Sequence, residues 1–354
     1  MPLRDLVVIG GSAGALQALT TIVQQLPPSL RACLLVVLHT RTEVNGVLPQ
    51  ILSRVSQLPV ELASNEAPLK PGKIYLARPD YQLLVERSRL LVVRGPRENG
   101  FRPAVDPLFR TAARTYGPRV VGIILSGALD DGTYGLSQVK EHGGVAIVQD
   151  PEEAVIPSMP SSALRHVTVD YVLPAAEIPA MIQRLSAERT EGDEAMARED
   201  EPEPQLPEEE EVAVQAMEDL FGPPSALTCP DCGGALWEIE NGKLTRYKCH
   251  VGHQFAPDSL AAEQRDAVEE ALWSAVRVLE EHAELRMRMA RRAEAAGLPT
   301  VSEGFAEGAR NSHRQAQEIR TLLFAGGNEP ESLEEEVAKP AVTKGGRRSK
   351  RNER

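Results

Sequence analysis

The run Val7-Val8-Ile9-Gly10-Gly11-Ser12-Ala13-Gly14 changes character halfway along. Val7, Val8 and Ile9 are short, apolar and β-branched, the mark of a buried strand. Two glycines break the run, and Leu16, Leu19, Ile22, Val23 and Leu26 then recur at helical spacing. Ser12 therefore sits at a sharp strand-to-helix turn, with Gly10 and Gly14 two residues to either side. That is the G-x-S-x-G form of a nucleophile elbow, whose crowding admits only small neighbours. The unpaired N–H groups at a helix start stabilise an anion. Two other readings stay open on this stretch alone. One is a dinucleotide-binding turn, but G-x-G-x-x-G ending at Gly14 needs glycine where Ile9 stands, and the second strand ends in His39-Thr40-Arg41 instead of an acid. The other is a serine that merely caps the helix.

The strands and helices that follow set the frame. Residues 33–38 form a second buried strand ending at His39, and a helix is expected over 47–55. Short strands over 73–77, 82–85 and 89–93 are separated by Lys70-Pro71-Gly72 and Arg78-Pro79-Asp80. A helix over 105–116 precedes the strongest apolar run, 119–125, which leads into Ser126-Gly127-Ala128-Leu129-Asp130-Asp131-Gly132. Helix 133–142, strand 145–149 and helices near 158–165 and 175–186 complete the segment. This alternation predicts an α/β fold with a doubly wound, mainly parallel sheet. In such sheets the ligand site lies beyond the strand C-termini. Ser12, His39 and Asp131 each follow the end of a different strand, and together they are the parts of a hydrolytic triad: nucleophile, base and orienting acid. Taken singly, His39 also reads as a packed strand-end residue and Asp131 as a turn or cap residue. Asp130 is a rival for the acid. The usual α/β-hydrolase order, serine then acid then histidine, would need His142 or His166, and neither is well placed.

At these residues the chain resembles the catalytic domain of CheB-type chemotaxis protein-glutamate methylesterases. The matching pieces are Ile9-Gly10-Gly11-Ser12-Ala13-Gly14, Val36-Val37-Leu38-His39, Phe101-Arg102-Pro103-Ala104-Val105-Asp106, Leu125-Ser126-Gly127-Ala128-Leu129-Asp130-Asp131-Gly132 and, more weakly, Pro157-Ser158-Met159-Pro160. The resemblance implies Ser12 as nucleophile, His39 as base and Asp131 as its orienter, with the backbone N–H groups of Ala13 and Ala128 as oxyanion donors. It implies hydrolysis of glutamyl methyl esters on methyl-accepting chemoreceptors, often with deamidation of glutamines, and no cofactor for catalysis. Ala13 replaces the family's usual threonine, and Ala128 and Leu129 replace its Met and second Gly. No receiver domain precedes Met1, so the phosphorylation switch of the usual member is expected to be absent. Arg102 and Asp106 either line the site or form a structural pair ahead of helix 105–116.

The remainder has a different composition. Residues 188–211 hold twelve acids against Arg189 and Arg198, which carries most of the formal charge of -12, so the acidic balance identifies no partner. We expect five segments: a catalytic domain over 1–186, an acidic linker over 187–225, a zinc ribbon over 226–256, a helical hairpin over 257–325 and a disordered basic-ended tail over 326–354. Cys229-Pro230-Asp231-Cys232 and Cys249-His250-Val251-Gly252-His253 are two metal knuckles sixteen residues apart. Cys229, Cys232, Cys249 and His253 are the expected ligands of a structural zinc, with His250 the alternative fourth ligand. Four occupied positions leave none for catalysis, and the first domain is expected to work without the ribbon. Helices over 258–296 and 301–324 read as an antiparallel pair, a surface for self-association or a partner, with an apolar stripe through Val268, Leu272, Val278 and Leu285. No run of 18 apolar residues exists, and the start goes straight into a strand. The expected setting is therefore the cytoplasm, without membrane insertion or nucleic-acid binding. The alternatives to the esterase are a non-catalytic signalling scaffold on the same fold and a hydrolase of a different ester or amide.

Overall fold

The computed structural model describes residues 3–39, 47–190, 210–242 and 244–326. The acidic stretch over 191–209 and the basic-ended tail from 327 lie outside them, as do Thr40 and Arg41. Through Gln264 the chain forms one compact unit, and a second begins at Arg265.

In the first unit, β1 (Leu6–Gly11) leads through α1 (Ala15–Gln25) to β2 (Cys33–Leu38). After α2 (Val47–Val55) come β3 (Val60–Leu62), β4 (Ile74–Leu76) and a hairpin of β5 (Gln82–Glu86) and β6 (Arg89–Val93). Then follow α3 (Val105–Tyr116), β7 (Val120–Ile124), α4 (Thr133–Glu141), β8 (Val145–Gln149), α5 (Ser158–His166), β9 (Tyr171–Leu173) and α6 (Ile178–Ala187). Seven strands pair in the order β3-β4-β2-β1-β7-β8-β9, all parallel. β1 is central and buried throughout, and its alternate residues feed two cores. Val7 and Ile9 pack with Leu19, Leu52 and Ile182 on one face; Leu6 and Val8 pack with Phe109, Leu136 and Met159 on the other. Burial on both faces is why these strands read as continuous apolar runs instead of alternating ones. The chain turns one way from β1 to β2 and the other way from β7 to β8. The switch point lies between β1 and β7, beside Ser12.

After α7 (Glu210–Phe221), β10 (Leu236–Asn241) and β11 (Leu244–Cys249) pair antiparallel, and β12 (Gln254–Phe255) joins the far side of β11. This small sheet belongs to the first compact unit. Its last strand meets the segment before α3, where Glu98 bridges Gln254.

α8 (Pro257–Ala295) enters the second unit and is followed by α9 (Pro299–Gly326). The two run antiparallel: Ser302 bonds the Ala290 carbonyl, Ser312 lies 3.2 Å from His282 Nδ1, and Arg320 pairs with Glu280 at 2.8 Å. The stripe read from the sequence is buried only in part. Val276, Ala290 and Ala293 of α8 and Ala309, Ser312 and Ala316 of α9 are buried and Leu272 is half-buried, whereas Val268, Val278 and Leu285 are exposed.

Candidate active site

The turn after β1 is built as its glycines require. Gly14 has φ +81°, a left-handed value that costs other L-residues energy, and a Cβ at Gly10 would collide with Val105. Ser12 is not a cap. The N-cap of α1 is Gly14, and no side chain caps that helix. The Ser12 N–H instead donates to the Ser126 carbonyl at 2.9 Å, tying the first loop to the loop after β7. Ser126 Oγ returns the link by donating to the Ala13 carbonyl at 2.7 Å. A Cβ on Gly127 would stand 2.8 Å from Ser12 Cβ, so glycine there lets the two loops meet.

His39 follows β2, and its N–H donates to the Gly11 carbonyl at 3.1 Å, which places it beside Ser12. Its Nε2 lies 2.8 Å from Asp131 Oδ2, with the two side chains 4% and 1% exposed, so water does not compete for the bond. The carboxylate fixes the tautomer: Nε2 carries the proton and Nδ1 keeps its lone pair. Nδ1 is buried, and among the described residues it has no hydrogen-bond partner. The Phe101 ring stacks on the imidazole with centroids 3.7 Å apart and planes at 11°, fixing the ring's tilt.

Asp131 has its remaining acceptor sites filled. Oδ2 also accepts from Val105 N–H at 2.7 Å, and Oδ1 accepts from Asn99 Nδ2 at 2.8 Å and Asp106 N–H at 3.3 Å. Val105 and Asp106 begin α3, which no side chain of its own N-cap residue caps. The carboxylate thus occupies a helix N-terminus, where an anion is favoured. Burial opposes its ionisation, but the bond and charge of His39 with these N–H donors outweigh it and hold the Asp131 carboxyl below its ordinary value. Asp106 is the opposite case. Fully buried and beside the Asp131 charge, it is pushed up to about 8 and holds a proton at neutral pH.

Of the two readings of Arg102 and Asp106, lining the site or pairing with each other, the pair does not form. Arg102 pairs with Asp80 through Nε at 2.9 Å and donates to the Gly95 carbonyl. Asp106 lies beneath Asp131, accepting from Asn99 Nδ2 at 3.0 Å and Gly135 N–H at 2.6 Å. Asp130 turns away from His39 and accepts from Ser259 Oγ and Asp258 N–H. Burial, partly offset by Ser259, raises its carboxyl to about 6. Among the described residues no hydrogen bond uses the N–H of Ala13, which follows Ser12, or of Ala128, which follows Gly127. Sequence reasoning missed Asn99 as a partner of Asp131 and missed the stacking of Phe101, although Phe101 lies in a motif it quoted.

The cysteine cluster forms a second site. Ligand atoms of Cys229, Cys232, Cys249 and His253 all lie within 4.8 Å of one another. Cys232 and Cys249 sulfurs are 3.7 Å apart, and His253 Nδ1 is 3.6 Å from Cys249 Sγ and 3.7 Å from Cys229 Sγ. A tetrahedron with metal–sulfur bonds of about 2.3 Å has edges near 3.8 Å, so the residues fit one four-coordinate ion. His250 lies against Gly234 and outside the cluster.

The chain matches the CheB methylesterase family over residues 7–182. A putative protein-glutamate methylesterase/protein-glutamine glutaminase of Leptospira interrogans (strain Fiocruz L1-130) is 37% identical over 188 residues, which are 53% of this chain and 97% of that protein. The protein-glutamate methylesterase/protein-glutamine glutaminase of Pyrococcus abyssi is 34% identical over 188 residues, 52% of this chain and 51% of that one. The crystal structure of the Thermotoga maritima CheB methylesterase catalytic domain superposes with a TM-score of 0.50 at 34% identity, covering 51% of this chain and 98% of that one. The family match ends before the ribbon and the long helices.

Proposed function

The chain belongs to the CheB methylesterase family, and we propose that it is a protein-glutamate methylesterase that hydrolyses glutamyl methyl esters on methyl-accepting chemoreceptors and deamidates glutamines by the same route. Ser12 Oγ attacks the ester carbonyl while His39 Nδ1 takes its proton, and the Nε2–H···Asp131 bond stabilises the imidazolium that forms. The N–H groups of Ala13 and Ala128 hold the oxyanion. Imidazolium returns the proton to the methoxy oxygen and methanol leaves. Water, deprotonated by the same nitrogen, then releases the glutamyl carboxylate and frees Ser12. With a glutamine the leaving group is ammonia.

The observation that carries this reading is the 2.8 Å His39–Asp131 bond beside Ser12, at the ends of three adjacent strands. Methanol release from methyl-labelled receptors tests it. Ser12→Ala should release none above background and keep its thermal midpoint; turnover by that variant would overturn the assignment.

The finer features follow the same reading. Cys229, Cys232, Cys249 and His253 hold one structural zinc, supported by their tetrahedral spacing, and catalysis uses no cofactor. A cytoplasmic setting fits the four cysteines, none of which is in a disulfide. No described helix is long and apolar enough to cross a membrane. Exposed Val278, Leu285 and Phe324 on α8 and α9 support self-association through these helices, which sedimentation of Leu285→Glu against wild type would test as a shift toward monomer.

A further inference from the structure

Asn99 is 2% exposed, and its backbone is left-handed with φ +53°. A buried amide must satisfy one acceptor and two donor hydrogens. Its Nδ2 donates to Asp131 Oδ1 at 2.8 Å and to Asp106 Oδ2 at 3.0 Å. Its Oδ1 accepts from the Ala256 N–H at 2.8 Å, and its own N–H donates to the Gln254 carbonyl at 2.7 Å. Gln254 is in β12 of the ribbon, and Ala256 is the residue before α8. The Ala256 N–H therefore decides which way the amide faces: a donor on Oδ1 forces Nδ2 onto the two carboxyl groups. The reverse orientation would set an oxygen against the Asp131 carboxylate.

Further contacts bind the same seam. Ser259 Oγ and Asp258 N–H hold the carboxylate of Asp130, the neighbour of Asp131. The Arg246 guanidinium lies 3.6 Å over the Tyr134 ring. Glu98, next to Asn99, is locked by a two-pronged buried pair with Arg110 at 3.0 Å.

We propose that Asn99 is a positioning residue for Asp131 and that the C-terminal ribbon holds it in place, so that the extension completes the catalytic centre and sets its turnover. The proposal rests on the reading of Ser12, His39 and Asp131 as the working triad. Its place is in kcat: Asn99 touches neither substrate nor reacting atoms, so KM should stay within about twofold. Loss of a group that orients a working side chain costs about 10- to 100-fold in comparable second-layer positions.

The test uses the full chain and a glutamyl methyl ester, with folding followed by near-ultraviolet circular dichroism. Asn99→Ala should lower kcat about 10- to 100-fold and displace the low-field proton resonance of His39 Nε2–H. Asn99→Asp is the discriminating variant. Aspartate has the shape of asparagine and tolerates the left-handed backbone, so a packing role predicts near-normal turnover. A donor role predicts turnover below that of Asn99→Ala, because an acceptor then faces two carboxyl groups. Ala256→Pro removes the N–H that Asn99 accepts from and also fixes φ there and restricts Phe255; it should lower kcat about tenfold in the wild-type background but not in Asn99→Ala. Ser259→Ala, a milder change at the same seam, should show the same dependence on Asn99 with a smaller loss. Wild-type turnover in Asn99→Asp, or ribbon substitutions whose effects multiply with Asn99→Ala, would overturn the proposal. Ser12→Ala in the same series separates the two failures: activity there defeats the triad reading, whereas an inactive Ser12→Ala beside an active Asn99→Asp defeats this inference alone.

Discussion

A serine hydroxyl is a weak nucleophile until a base is ready to take its proton, and in the proposed triad the readiness of that base is set on the far side of His39. Asp131 accepts from His39 with one oxygen edge while α3 and Asn99 fill the rest, so the acid neither rotates nor takes up the proton itself. Triad members act as a unit, so Ser12→Ala and His39→Ala should each lower kcat by about 10⁴-fold or more in the methanol assay. Asp131→Asn should cost less, on the order of 10²- to 10⁴-fold, and far more than Asp130→Asn, whose carboxyl faces Ser259. Equal losses in the two asparagine variants would show that the acid has been misassigned. Asp106 gives a separate outcome in pH. Its folded value of about 8 lies above that of an unfolded aspartate. The folded state therefore holds a proton that the unfolded chain has lost, and the stabilisation linked to that proton is complete below about pH 4 and is lost as pH rises through 8. Asp131 has the opposite sign: its contribution is present above the unfolded value and is lost as acid protonates it. Carboxyl carbon resonances should show one aspartate titrating near pH 8 and another still ionised near pH 4. Absence of the high-pH titration would place a second negative charge beside Asp131.

The elements that carry these residues differ in how plainly the sequence declares them. β1, β2, β7 and β8 have both faces buried, so each reads as an unbroken apolar run, and the ends of three of them point to Ser12, His39 and the Asp130-Asp131 pair, with the choice between the two acids left open. β3 and β9 are three-residue edge strands with partly exposed side chains, too short for any period to show. Asn99 gives no local signal at all, because its partners come from positions 106, 131, 254 and 256. The loop after β7 is legible in its ends and not in its middle. Leu129 has φ +63°, a left-handed backbone that disfavours a residue with a Cβ, and the family resemblance implies a glycine at this position. Leu129→Gly exchanges that strain for greater freedom of the unfolded chain, so it should change stability by less than about 1 kcal/mol. Leu129→Val puts a β-branched side chain on the same backbone and should cost about 1–3 kcal/mol. Chemical denaturation of the two variants checks this, and a Leu129→Val protein as stable as wild type would mean that the loop relaxes out of the left-handed region.

At the scale of the whole molecule, the cysteine cluster and the catalytic centre are joined by a few residues of backbone. The Cys249 N–H donates to the His253 carbonyl at 3.0 Å, closing the turn that leads into β12, and β12 leads at once to Ala256 and Ser259. Sequence alone shows an acidic linker ahead of the ribbon and so implies that the ribbon is dispensable; the contacts with Asn99 and Asp130 are tertiary and leave no trace in the spacing. For a ribbon of this size metal binding is folding, worth about 10 kcal/mol or more in comparable peptides. Stripping zinc from the full chain should therefore remove about one ion per chain, open the amides near 226–256 to hydrogen exchange, and release Asn99 from Gln254 and Ala256. Turnover should fall about 10- to 100-fold toward that of Asn99→Ala, with KM little changed, and recover when zinc is returned. Cys229→Ser and His253→Ala should lose the metal, and His250→Ala should keep it. The Asn99→Ala chain should barely respond to chelation, because its link to the ribbon is already cut. Loss of metal and of ribbon protection at full turnover would mean that the ion holds only its own module, and that Asp131 is positioned by α3 and the loop after β7 alone.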